Sequence, residues 1–265
     1  MRTLSFIFVL AFVVSVSAQP RRVMLQFNEA TKLAKSGEFE KALLRYREAL
    51  DRSESIRLDS DHLAQLHYNL GVCEYHLNHP ERAVEEFNVA IKLKGGNYST
   101  AFYALGMAES ARANWQGARL AFLESLRLNR SNGEAWFDLA FVYLAAGDFA
   151  GAEAAFRNSI VYKSIDSAWS HNNVGVLLAL RGDLSEAQKE FETALAASAG
   201  KLIEARNNLE YCRTREPKRV GLWEKRIQAR GPRHRTLGHS VEIGSVVGLP
   251  KQSARSRRND PRAMI

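Results

Sequence analysis

Residues 133–166, GEAWFDLAFVYLAAGDFAGAEAAFRNSIVYKSID, decide the fold of this chain. They read as two short helices joined by a Gly147-Asp148 turn. Trp136, Leu139, Ala140 and Tyr143 share one face of the first helix, because residues three and four apart lie above one another. Gly147 ends that helix, since glycine accepts the left-handed conformation of a helix exit. Ala152, Phe156 and Ser159 recur at the same spacings on the second helix. Ala140 and Ala152 are small where the helices cross; Trp136, Leu139, Tyr143 and Phe156 are large where space must be filled. Helices this short cannot bury their apolar faces alone and need neighbours of the same kind.

The neighbours are present in the sequence. The alanine of the second helix recurs as Ala42, Ala83, Ala118, Ala152 and Ala187, at spacings of 41, 35, 34 and 35. Four residues after each stands an aromatic: Tyr46, Phe87, Phe122, Phe156 and Phe191. Seven after stand Ala49, Ala90, Ser125, Ser159 and Ala194. Twelve before stand Ala30, Gly71, Gly106, Ala140 and Gly175. This pattern resembles the tetratricopeptide repeat family, whose unit of about 34 residues carries W-x2-L-G-x2-Y and then A-x3-F. The resemblance covers residues 23–201 as five repeats, at about 23–56, 64–97, 99–132, 133–166 and 168–201. It implies an all-α fold, a right-handed α-solenoid of helix-turn-helix units. Departures are visible: the tryptophan position holds Gln26, His67, Phe102, Trp136 and His171, Glu29 stands where leucine is usual, and the late proline is missing throughout.

Residues 202–215 echo the start of another first helix, with Glu204, Arg206, Glu210 and Arg213 turned outward, and read as a capping helix. From Arg213 onward the chain holds 14 Lys and Arg against 4 Asp and Glu, while the whole chain is only +8. The basic balance therefore belongs to residues 216–265, which read as a disordered tail. Within that tail, residues 241–249 have the pattern of a strand that would need something to pair with.

At the other end, Met1-Arg2-Thr3 precedes an apolar run from Leu4 to Val16 and the small residues Ser17 and Ala18. This is the form of a secretory signal peptide over residues 1–18, with an uncleaved anchor as the alternative. The expected location is secreted or periplasmic. Amino-terminal sequencing of such material is expected to begin at Gln19; an intact Met1 in the membrane fraction would refute cleavage.

Motifs of catalysis are missing: no Gly-rich phosphate loop, nucleophile elbow or paired-histidine zinc helix is found. Cys73, His76 and His79 are three apart, a spacing that does not bring all three to one point on a helix, so no metal or other cofactor is expected. Cys73 and Cys212 are four repeat lengths apart and are read as buried thiols in place of alanine. Asn97 and Asn129 match the glycosylation acceptor pattern and fall in inter-repeat turns.

What remains is surface, and no enzyme activity is expected. In arrays that this chain resembles, first helices line a concave groove. By register the groove positions are Phe27, Asn28, Tyr68, Asn69, Tyr75, Tyr103, Phe137, Asp138, Phe141, Trp169, Asn172, Asn173 and Tyr211. Aromatics interleaved with amides suit a peptide, the rings supplying apolar area and the amides bonding its backbone. The paired basic residues with which some members clamp a peptide carboxylate are absent. A share of the rings is expected to pack between helices instead. Two functions follow: a scaffold binding a peptide segment or protein through the groove, or an assembly subunit whose basic tail docks on an acidic partner or anionic membrane surface. Nucleic acid is the poorer partner for a secreted chain, and no transmembrane segment is expected after signal cleavage.

Overall fold

The computed structural model describes residues 22–56 and 58–214. Residues 1–21, residue 57 and residues 215–265, on which the expectations of a signal and a disordered tail fall, lie outside them. Every regular element among the described residues is a helix: α1 (22–35), α2 (Phe39–Ile56), α3 (Ser60–His76), α4 (Pro80–Leu93), α5 (Ser99–Ala111), α6 (Trp115–Leu128), α7 (Gly133–Ala145), α8 (Phe149–Val161), α9 (Ser167–Arg181), α10 (Leu184–Ala197) and α11 (Ile203–Thr214). The chain divides into two compact units, one reaching Ala104 and one beginning at Leu105. Within each, helices pack on their neighbours in sequence: α3 on α2 and α4 in the first, and α7 to α11 successively in the second. This is the nearest-neighbour packing of an α-solenoid.

The small and aromatic positions of the repeat meet each other. A methyl group added to Gly71, Gly106 or Gly175 would lie 2.6 Å from a ring carbon of Phe87, Phe122 or Phe191 respectively. First and second helices therefore cross with the ring lying directly on the backbone. Each of those rings is fully buried, as are Tyr46 and Phe156. The first-helix exits take left-handed backbone whether or not glycine is present, with φ of 61° at Asn78 and 58° at Ala113 as well as 74° at Gly147. Second helices exit the same way at Lys163 and Ala199, which nothing in their residue type announces. Side-chain caps start several helices: Asp59 accepts from the His62 N–H, Asn114 from Gly117, Asn132 from Ala135 and Asp148 from Gly151. With Asp59 as cap, α3 begins at Ser60, earlier than the repeat start near Ala64 that the spacing suggests.

The departures at the tryptophan position have a structural reason. His67 lies 2.7 Å from Glu86, and His171 lies 2.7 Å from Glu190. Each acid stands 19 residues after its histidine. Where the first position is aromatic, at Phe102 and Trp136, the residue 19 later is alanine, Ala121 and Ala155. A polar pair thus stands where those repeats carry an aromatic and an alanine. Burial would raise the Glu190 carboxyl, but the hydrogen bond from His171, with Arg157 nearby, holds it below its ordinary range. His171→Trp alone is expected to cost about 1–3 kcal/mol, because the larger ring meets a half-buried carboxylate. Combined with Glu190→Ala, the cost should fall below about 1.5 kcal/mol, the range of volume-matched exchanges. Thermal melts of the single and double variants compare the two; equal melting points would mean the positions are not coupled.

Candidate binding groove

In the first unit the groove positions are largely absorbed into the interior. Phe27 is buried and meets Tyr46 edge-on, with centroids 5.5 Å apart. Tyr68 is buried between Phe87 and Tyr98, at 5.9 and 5.4 Å. Tyr103 is buried too, whereas Asn28 and Tyr75 are half-buried. Asn69 has no exposure, and its amide is engaged at both ends. Its nitrogen donates to the Tyr46 hydroxyl at 3.1 Å, and its oxygen accepts from Gln65 at 3.2 Å. The Tyr46 hydroxyl also bonds Thr31 at 2.9 Å. Burial pushes the Tyr46 phenol well above its ordinary range, so it stays protonated and can serve this network. Asn69 is thus an internal bracket joining α3 to α2.

Nearby, the cysteine–histidine group takes separate roles. Cys73 is buried in the core of this unit, and burial pushes its thiol up to about 12. His76 stacks flat on Phe39, centroids 4.0 Å apart, and burial lowers its imidazole to about 4. His79 pairs with the buried Glu74 at 2.9 Å, and Arg47 reaches the other oxygen of that carboxylate at 2.6 Å. Among the described residues no three His, Cys, Asp or Glu side chains are grouped so as to hold a metal ion. No described helix is long and apolar enough to cross a membrane.

The second unit is different. Phe137 and Phe141 lie 5.1 Å apart and both meet Phe156 edge-on, at 5.6 and 5.4 Å. Each keeps 8% of its surface, so these two rings line the core of repeat four. Trp169 and Tyr211 are half-buried, packed at the margin of the same cluster. Asp138 and Asn172 are buried. Asn173 keeps 6% and Asn208 keeps 7%.

These amides form a directed relay. The Asn208 nitrogen donates to the Asn172 oxygen at 2.9 Å, and the Asn172 nitrogen donates to the Asn173 oxygen at 3.4 Å. The Asn173 nitrogen then has no acceptor, although it is buried. A buried amide N–H without a partner costs about 1–3 kcal/mol, so the relay ends in a donor that a carbonyl or carboxylate oxygen would satisfy. Asn173 stands two residues before Gly175, which rotates it about 160° away from the Phe191 contact and so away from the second helix. Register alone gives Asn69 and Asn173 the same place; their hydrogen bonds separate them. Asn208 stands one repeat, 35 residues, after Asn173 in the next amide place of the register, and it joins the site through Asn172.

Comparison with known proteins agrees with this architecture. The tetratricopeptide repeat family model matches residues 27–98 and 103–165, just over half of the chain. No curated protein matches significantly. Among solved structures, a MamA crystal structure is 24% identical with a TM-score of 0.57, covering 64% of this chain and 94% of its own. YrrB, described as a tetratricopeptide protein with an unusual peptide-binding site, is 20% identical with a TM-score of 0.58, covering 76% of this chain and 98% of its own. PilF of Pseudomonas aeruginosa is 17% identical with a TM-score of 0.57, covering 80% and 99%. At these identities the likeness is one of fold. The repeated small and aromatic positions, the helix pairs they lock together and the family match identify the chain as a member of the tetratricopeptide repeat family.

Proposed function

We propose that the chain is a non-catalytic scaffold that binds an extended peptide segment of a protein partner along α7, α9 and α11, in a secretory or periplasmic compartment. The observation that carries this is the buried, unpartnered nitrogen of Asn173 at the end of the amide relay. Asn173 keeps 6% of its surface, and a turn of its amide toward that opening would bring the nitrogen to a peptide carbonyl. Trp169 and Tyr211, half-buried at the margin of the core cluster of this unit, offer flat apolar area for the partner's side chains. Phe137 and Phe141, each 8% exposed, belong to the same apolar cluster. The likeness to YrrB, whose description names a peptide-binding site, is consistent with this use of the fold. The Lys- and Arg-rich residues beyond 214 would add salt-sensitive attraction to an acidic partner or an anionic surface.

Trp169→Ala is expected to weaken partner capture by about thirtyfold, as aromatic anchors commonly contribute about 2 kcal/mol. Asn173→Ala should weaken it about five- to tenfold, the worth of one hydrogen bond to a buried amide. Both should keep the helical circular dichroism of the wild type. Capture from the native compartment, quantified for each variant, tests this; unchanged capture by both would place the binding surface elsewhere.

A further inference from the structure

We propose that the second unit docks on an anionic lipid surface through the edge where its second helices exit, the turns 129–132, 162–166 and 198–202. Named contacts join these turns. The Trp136 ring N–H, near the start of α7, donates to the Arg130 carbonyl at 2.9 Å, and the same ring stacks on Tyr162 with centroids 6.5 Å apart. Gly133 lies against the backbone of Tyr162 and Ser164, and Glu134 accepts from the Ile165 N–H at 2.7 Å. Trp169, near the start of α9, packs with Leu202 and Ala205 at the next turn. The three exits therefore lie side by side.

This edge is apolar at its tips and cationic around them. Ile165, Val161 and Ile203 keep 74%, 67% and 57% of their surface, and the first two are the most exposed large apolar residues among those described. Single exposed aliphatics are ordinary, but three on adjoining turns mark an interaction surface. Arg130, Lys163, Lys201 and Arg206 are exposed, and none of the first three is in an ion pair among the described residues. The carboxylates are drawn inward: Glu134 is bonded to the turn backbone, and Asp166 and Glu204 are half-buried. Every exposed charged residue within 129–134, 161–166 and 198–206 is thus positive. Trp136, Tyr162 and Trp169 stand half-buried at the same turns. Aliphatic tips with Lys, Arg, Trp and Tyr around them are the groups that settle at a bilayer interface. Side chains projecting this far from turns suit a fluid surface that closes round them, whereas a folded partner would need a matching socket. Anionic headgroups supply the opposite charge.

The test uses the full chain with Ile165→Cys carrying an environment-sensitive fluorophore; the native thiols Cys73 and Cys212 are buried. Ala146→Cys, labelled alike, is the control, since it precedes the start of α8 and so lies about 20 Å from that helix's exit. Vesicles of phosphatidylglycerol and phosphatidylcholine should shift the Ile165→Cys emission to the blue and leave Ala146→Cys unchanged, and phosphatidylcholine alone should shift neither. Ile165→Ser/Ile203→Ser should weaken vesicle binding about tenfold. Lys163→Gln/Lys201→Gln should weaken it about thirtyfold at low salt, each cation contributing about fivefold. All four side chains are exposed, so helical circular dichroism should not change. No binding to anionic vesicles would overturn the proposal. Binding without a shift at Ile165→Cys would overturn it too, because the basic residues beyond 214 would then hold the chain alone. Capture on polyglutamate that survives Ile165→Ser/Ile203→Ser, with no vesicle binding, would mean that the edge meets an acidic protein and that lipid docking is wrong.

Discussion

Phe156→Ala is expected to cost about 3–5 kcal/mol, the range for truncating a fully buried aromatic ring. Phe156 has no exposure and is met edge-on by both Phe137 and Phe141, so its removal leaves two rings without the partner that orients them. Ala140 and Ala152 belong to the same buried cluster, and their methyl groups are too short to fill the void. That is a large share of a domain's stability, which is about 5–15 kcal/mol in all. The damage should be graded along the chain. α8 packs on α7 and α9, so those helices should lose hydrogen-exchange protection first. Phe156→Leu keeps most of the volume and should cost less than half as much. Denaturant unfolding followed by circular dichroism measures both. If the alanine variant lost less than about 1 kcal/mol, the ring would not be the wedge that separates these helices.

That core was legible in the sequence because it depends on fixed spacing alone. The small residue and the aromatic of each repeat are 16 positions apart, and the structure brings them into van der Waals contact in three repeats through glycine. The tryptophan-position departures were legible only in pairs. His67 and His171 look anomalous one at a time, and become regular once the acid 19 residues on is read with them. The groove was legible as a set of positions but not as a set of roles. Asn69 and Asn173 occupy equivalent places, yet Asn69 is drawn inward because the first repeat carries Tyr46 where the other four carry phenylalanine. One added hydroxyl recruits the amide, and Thr31 completes the bracket. That tyrosine was visible in the sequence; its reach across 23 residues was not. The direction of the Asn208–Asn172–Asn173 relay depends on side-chain torsions, which no periodicity encodes.

Gly133→Ala is expected to cost about 3 kcal/mol, the upper end of what overpacking does. A methyl group there would lie 2.8 Å from both the Ser164 nitrogen and the Tyr162 oxygen. Both are backbone atoms of the turn by which α8 exits, where Lys163 is held at a φ of 53°. A side chain could swing aside, but a backbone turn can yield only by sliding as a whole. Sliding would break a second link at the same place, since the Glu134 carboxylate accepts from the Ile165 N–H at 2.7 Å and from the Ser164 hydroxyl at 3.1 Å. Gly147→Ala is the informative comparison. Gly147 is the glycine a reader of the sequence would protect, with a φ of 74°, yet no atom lies within 4 Å of an added methyl group. Its cost is only the left-handed backbone preference of about 1–2 kcal/mol. Gly133→Ala should therefore melt lower than Gly147→Ala by roughly 2–8 °C, at about 2–4 °C per kcal/mol for a chain of this size. The reverse order would show that the α8 exit turn gives way easily, and that the close approach of α7 to it contributes little to holding repeat four together.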